Sequence, residues 1–210
     1  MKITRVQKSP SKRGRKSKIT RDQVLKVALR LFAKRGFSNA SFQEIADSCA
    51  VSQPAILYHF PSKSILIEEV IKMVVLHNHT VVSAAFETRD DALVRLRKHF
   101  HTNLEWAMKS RDESQIILLL YYLASYEAPF SILYKKILLT ARARISEWIA
   151  AGIREQLFYS KLEIEETSRQ LHDSLLGGIV NLLSSGGGKR ESELLHQSWE
   201  ILFSKLLRIR

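Results

Sequence analysis

Four hydroxyl residues, Thr20, Ser41, Ser52 and Ser62, each precede a stretch with apolar side chains at helical spacing, and they divide residues 20–79 into short helices. Thr20 has Gln23 three places on, a spacing at which two side chains reciprocally satisfy free amides at a helix start. Val24, Ala28, Leu31 and Phe32 follow on one face, so a first helix is expected from about Thr20 to Arg35. Gly36 ends it, because glycine readily takes the left-handed conformation of a helix exit. Ser41 with Glu44 repeats the pattern ahead of Phe42, Ile45, Ala46 and Cys49. After a corner at Cys49-Ala50-Val51, Ser52 can cap a third helix, whose first turn tolerates Pro54 because amides there lack intrahelical partners. That helix ends near Phe60-Pro61, and Ser62 opens a fourth that runs to about His79.

Everything beyond repeats long apolar stripes separated by short polar breaks, with no segment of strand period. Helices are expected near Asp91–Lys109, Glu113–Tyr126, Pro129–Phe158, Glu163–Ser184 and Ser192–Arg208, with Gly186-Gly187-Gly188 as a loop. The fold class is therefore all-α, with about nine helices. Three regions are expected: a flexible basic arm over 1–18, a head of short helices over 19–65, and a body of long helices over 66–210. The single Cys49 permits no internal disulfide. The longest apolar run, Ile116 to Ala124, is nine residues. That is about half the ~20 a membrane-spanning helix needs. A cytoplasmic, nucleoid-associated protein with no membrane partner is expected.

Charge is unevenly spread. Residues 1–63 hold 14 Lys/Arg against three acids, whereas residues 64–210 hold 19 against 18, so nearly all of the net +12 lies in one third of the chain. Concentrated positive charge attracts polyanions and gains affinity by releasing their counterions, which makes nucleic acid the leading partner and an anionic membrane the second.

Two short helices joined by a tight corner make a helix-turn-helix, whose second member fits the DNA major groove. The segment from Ile19 to Ile71 resembles the amino-terminal domain of TetR/AcrR-type transcriptional regulators in Ala28–Phe32, Gly36-Phe37, Ile45-Ala46, Val51-Ser52, His59-Phe60 and Lys63. The resemblance implies a homodimer with one reading helix per subunit and a regulatory domain whose inducer alters the spacing of the two readers. Two positions depart from the family pattern. Ala50 stands where the corner usually has glycine, and a left-handed conformation there costs roughly 1–2 kcal/mol. Leu57 occupies the usual tyrosine position, with Tyr58 one residue later and about 100° around the helix.

Base reading needs side chains at the exposed start of the third helix. Gln53 can pair bidentately with adenine, while Pro54 and Ala55 can touch a thymine methyl. Phosphate positioning falls to Ser41, Gln43, Ser52, Tyr58, His59 and Lys63. Gln53 could instead be a solvated surface residue, and Tyr58 and His59 could be partly packed. Ile56 and Phe60 should face the core. In the arm, Lys12, Arg13, Arg15 and Lys16 surround a glycine and resemble an AT-hook that enters a narrow minor groove; a generic cationic tail on phosphates is the alternative.

For dimerisation the last two helices offer the stripes Leu171, Leu175, Gly178, Leu182 and Leu195, Trp199, Leu202, Leu206, which would form a four-helix bundle from two copies; an intrachain contact is the alternative. Trp106, Tyr121, Tyr122, Tyr126, Phe130 and Trp148 are candidate walls of a ligand pocket, suited to a small apolar or amphipathic inducer. Arg142 and Arg144 could meet an acidic headgroup or pair with a carboxylate such as Glu147. His77 with His79, and His99 with His101, are two residues apart and point about 200° from each other on a helix, so neither pair grips a metal ion. The sequence carries no phosphate-cradling loop, no His-Glu-x-x-His and no glycine-flanked nucleophilic serine, so neither a catalytic residue nor a cofactor is expected. The combined expectation is a repressor released from a near-palindromic operator by a small inducer. The alternative is an architectural, sequence-tolerant DNA-binding protein without ligand control.

Overall fold

The capping signals form in the computed structural model, which describes residues 20–209. Thr20 and Ser41 each complete a capping box, with Gln23 and Glu44, at the starts of α1 (Arg21–Arg35) and α2 (Phe42–Ser48). The Ser62 hydroxyl accepts from the Ile65 amide at 3.2 Å to start α4 (Lys63–Ala84). Asp91 does the same for Val94 at 2.8 Å, starting α5 (Ala92–Lys109). Ser52 departs from this pattern: it occupies the N-cap of α3 (Gln53–His59) in an extended conformation, but its side chain makes no capping bond. Four further helices follow: α6 (Arg111–Ala124), α7 (Ala128–Arg154), α8 (Ile164–Ser184) and α9 (Lys189–Leu207). Nine helices and no strand are present among the described residues. None of these helices is long and apolar enough to cross a membrane.

Three helix ends differ from the sequence reading by three residues or more. α4 continues past His79 because Val82 is still buried. α7 stops at Arg154, four residues early: Gln156 turns into positive φ (60°), and Phe158 folds back onto Gly152. A Cβ at Gly152 would lie 2.1 Å from the Phe158 ring, so the absence of a side chain there makes room for the aromatic. α9 begins at Lys189, with Gly188 as its N-cap.

Two apolar clusters hold the helices together. The first joins α1, α2, α3 and α4, through residues such as Phe32, Ile45, Ile56, Phe60 and Val70, to Trp106, Leu120 and Phe130 of α5, α6 and α7. The expected boundary at residues 65 and 66 falls in the first turn of α4, and α1 packs against both α4 and α6. The second cluster joins α5, α7, α8 and α9 around Phe100, Ile145, Leu171 and Phe203. Full burial of each such side chain is worth roughly 1.5–3 kcal/mol.

The two stripes assigned to a partner subunit instead face each other within one chain. Leu171, Leu175, Leu182 and Trp199 are buried in the second cluster, with Leu195, Leu202 and Leu206 packed at its edge. Gly178 permits close approach here too, but to α9 of the same chain: a Cβ would lie 2.6 Å from Leu195 and 3.1 Å from Trp199. An apolar stripe records that a face is covered, not which chain covers it.

Candidate nucleic-acid interface and adjoining cavity

The corner between α2 and α3 is tightly bonded. The Cys49 amide donates to Ile45 and Ala46, the Ala50 amide to Asp47, and the Val51 amide back to Ala46 at 3.0 Å. Ala50 closes this corner at φ 53°, the left-handed conformation expected to cost a non-glycine residue roughly 1–2 kcal/mol. Behind α3, Ile56 and Phe60 are completely buried, which fixes the rotation of the helix and presents its opposite face outward.

On that outward face, Pro54 and Ser52 are exposed and Gln53, Ala55 and His59 are half-buried. Tyr58 stands out at 84% exposure, with its ring edge-on to His59 at 5.2 Å. An aromatic side chain this exposed gains nothing from the core and is free to meet a partner. Ser41 and Gln43 are also exposed, but both have local bonds. The Ser41 hydroxyl caps α2, and Gln43 donates to Asp47 at 2.7 Å. The Lys63 ammonium donates to the Ser38 carbonyl at 3.1 Å and sits over the Phe37 ring, leaving further N–H donors for another acceptor. Burial holds its pKa below the usual lysine range, with Glu44 acting in the opposite sense. The Ser41 backbone amide, its hydroxyl and the Arg35 guanidinium hold the Glu44 carboxyl below its ordinary value, so Glu44 stays ionised beside these cations. Lys12, Arg13, Arg15 and Lys16 lie outside the described residues.

Residues 24–70 match the family model of bacterial regulatory proteins of the tetR family. The head is a TetR-type helix-turn-helix. A curated relative, the transcriptional regulator AcrR of Shigella flexneri, is 47% identical over 51 residues, which make up 24% of each chain. The matched segment spans about a quarter or less of the curated relatives' own lengths. Beyond the TetR-type head, the likeness is one of fold. A transcriptional regulator from Saccharomonospora viridis in complex with choline superposes with a TM-score of 0.78 at 24% identity, covering 87% of this chain and 94% of its own. A TetR transcription regulator from Haloarcula marismortui superposes at 0.79 with 20% identity, over 89% and 97%.

Behind the TetR-type head, α4 to α8 enclose a cavity of about 600 Å³, within the ordinary range for small-molecule sites. Of the aromatic residues named from the sequence, Trp106 and Tyr121 line it. Tyr122 and Tyr126 are exposed on the outside of the molecule, and Phe130 is buried in the first cluster. Trp148 stands behind the wall, edge-on to His99 at 5.2 Å. Tyr121 and Tyr122 are adjacent and therefore point about 100° apart, so only one faces inward. The two arginines also part company. Arg142 pairs with Asp173 at 2.8 Å rather than with Glu147, while Arg144 lines the cavity. His99 and His172 line it as well; the sequence reading weighs His99 only as a metal ligand and does not name His172.

Burial, followed by the nearby Arg144 and His172, pushes the His99 pKa down to about 3, so its ring is neutral. His79 lines the cavity as well, whereas further histidines are engaged outside it. His77 bonds Glu113 at 2.7 Å, and His101 faces His196 at 3.3 Å. Among the described residues, no three His, Cys, Asp or Glu side chains are grouped to hold a metal ion.

Proposed function

We propose that the chain is a ligand-responsive transcriptional repressor that binds a near-palindromic operator as a homodimer and is released by a small apolar or amphipathic inducer. The observation that carries this reading is the position of the cavity. Lys72, Val75 and Leu76 of α4 form part of its wall, and the same helix begins at Lys63, four residues after His59 ends α3. A ligand that shifts α4 therefore moves the reader. In this reading Gln53, Pro54 and Ala55 contact bases, while Ser41, Gln43, Ser52, Tyr58, His59 and Lys63 contact phosphates.

A dimer needs an apolar face that the chain itself leaves uncovered. On α9, Leu194 and Ile201 are 52% and 56% exposed and seven residues apart on one side; on α8, nothing within 4 Å covers Gly177. We assign the partner contact to this outward face. The proposed division of labour has residues 19–65 reading DNA, residues 66–210 sensing ligand and pairing subunits, and the basic arm adding phosphate or minor-groove contacts.

Inducer binding favours the wider reader spacing, with a coupling of roughly 1–3 kcal/mol, or about 5–150-fold in operator affinity. Selection of operators from random duplexes by the purified chain, followed by footprinting, tests the reading. Two protected major-groove tracts related by a dyad and separated by a whole number of turns are expected. Uniform affinity across mixed DNA fragments would instead identify the architectural alternative.

A further inference from the structure

We infer that the cavity takes an amphipathic acid: a carboxylate head held at Arg144, beside His99 and His172, and an apolar body lying between α6 and α8. This inference rests on the ligand-responsive reading above and names the chemical class of its ligand.

The charges around the cavity are one-sided. Lys72, Lys136 and Arg144 line it, and no Asp or Glu does. Lys72 is already engaged, by Glu68 at 2.8 Å and Glu69 at 2.9 Å, and Lys136 is exposed at the rim. Arg144 differs from both. It is half-buried and has no ion pair among the described residues; Glu147 acts on it through charge alone. Arg142, two residues away, has the Asp173 partner that Arg144 lacks. Removing a charge from water without a counter-ion in contact is costly, and an incoming anion offsets that cost.

The groups beside Arg144 add hydrogen-bonding capacity without adding negative charge. The Asn103 side-chain amide donates to the His99 carbonyl at 2.8 Å and lies 3.2 Å from His99 Nδ1, which assigns the proton of the neutral ring to Nε2. His172 Nδ1 is buried without a well-formed hydrogen bond; the Asp173 carboxylate, which Arg142 already holds, lies 3.5 Å from it. Lys136, Thr140 and Arg144 follow one another at four-residue spacing on α7, a polar stripe about 12 Å long. Ile117 and Leu118 of α6 and Leu176 and Ile179 of α8 supply apolar wall. A guanidinium donates two parallel N–H bonds to a carboxylate, which selects a planar acid over a neutral alcohol of the same length.

The choline of the Saccharomonospora viridis structure carries the opposite charge. The lining offers such a cation the rings of Trp106 and Tyr121 but no carboxylate, and the Arg144 guanidinium, which has no ion pair among the described residues, repels it.

The test is calorimetric titration of the full chain with three probes of equal tail length: decanoate, decanol and decyltrimethylammonium. Decanoate is expected to bind at least tenfold more tightly than either of the others and to lower operator affinity. Arg144→Gln should reduce decanoate binding to the level of decanol and leave decanol unchanged, so that the alcohol reports an intact cavity. Arg144→Lys should keep part of the preference for the acid. Equal binding of all three probes to the native chain, or an acid preference that survives Arg144→Gln, overturns the carboxylate assignment and leaves the ligand-responsive reading standing. Failure of every probe to bind overturns both.

Discussion

The Trp106 indole N–H donates to the Glu113 carboxylate at 3.1 Å, and the same carboxylate oxygen accepts from His77 on α4 at 2.7 Å. One acidic side chain thus ties the cavity wall on α5 to the helix that follows the reader. Removing its charge while keeping its shape should loosen the connection more than it alters DNA contact. Glu113→Gln is expected to leave operator affinity of the free protein within about twofold, and to shrink the ligand-induced loss, itself roughly 5–150-fold. Fluorescence anisotropy of a labelled operator, with and without ligand, reads both quantities.

Gln53→Ala should cost about 1–3 kcal/mol of discrimination at one base position in each half-site and relax the preference there, while other positions keep theirs. Tyr58→Ala, by contrast, should weaken all operators alike, because a phosphate contact carries no base information. Competition titrations against a panel of single-base operator variants separate the two patterns. A uniform loss with Gln53→Ala would remove that residue from base reading.

Acid should destabilise the fold through His99. Its folded pKa, about 3, lies below the ordinary 6.5, so between those values the unfolded chain binds a proton that the native chain does not. Stability is therefore present in full above pH 6.5 and falls as pH drops towards 3, by up to about 1.4 kcal/mol per unit. His99→Gln should flatten the slope between pH 6 and 5, which chemical denaturation at a series of pH values measures. An unchanged slope there would contradict the burial of a neutral ring.

Ala50→Gly is expected to raise stability by up to about 1 kcal/mol, since the φ of 53° suits glycine and the gain exceeds the added freedom of the unfolded chain. The melting temperature should rise by a few degrees without a change in operator preference.

Gly152→Ala should act in the opposite direction. The new methyl would collide with the Phe158 ring, and relief requires that ring to leave a site where it is 1% exposed. Overpacking of this kind costs about 1–3 kcal/mol. Gly152→Ala combined with Phe158→Leu should recover part of the loss, with urea midpoints as the readout.

What the sequence made legible follows physical range. Thr20 with Gln23 and Ser41 with Glu44 are three residues apart, and their capping boxes form because both partners belong to the same turn. The inward turn of Ile56 and Phe60 could be read from helical period alone. Period could not tell whether Leu175 and Trp199 meet within one chain or between two, because both arrangements bury the same stripe. Nor could it find the shared environment of His99, Arg144 and His172, which come from three helices. The sequence offers Arg142 and Arg144 alike an acidic headgroup or a carboxylate such as Glu147; the packing of α8 gives Asp173 to the first and leaves the second facing the cavity.

The first apolar cluster does not stop where the reading head ends: Phe32 and Phe60 share it with Leu120 and Phe130. A chimera that swaps only residues 20–65 onto another regulator's body would cut through packed side chains instead of a tether, exposing one half of that cluster and mismatching the other. Recombination that preserves folding must carry the inner faces of α6 and α7 along with the helix-turn-helix, so the head and the core behind it pass from one chain to another only as a unit.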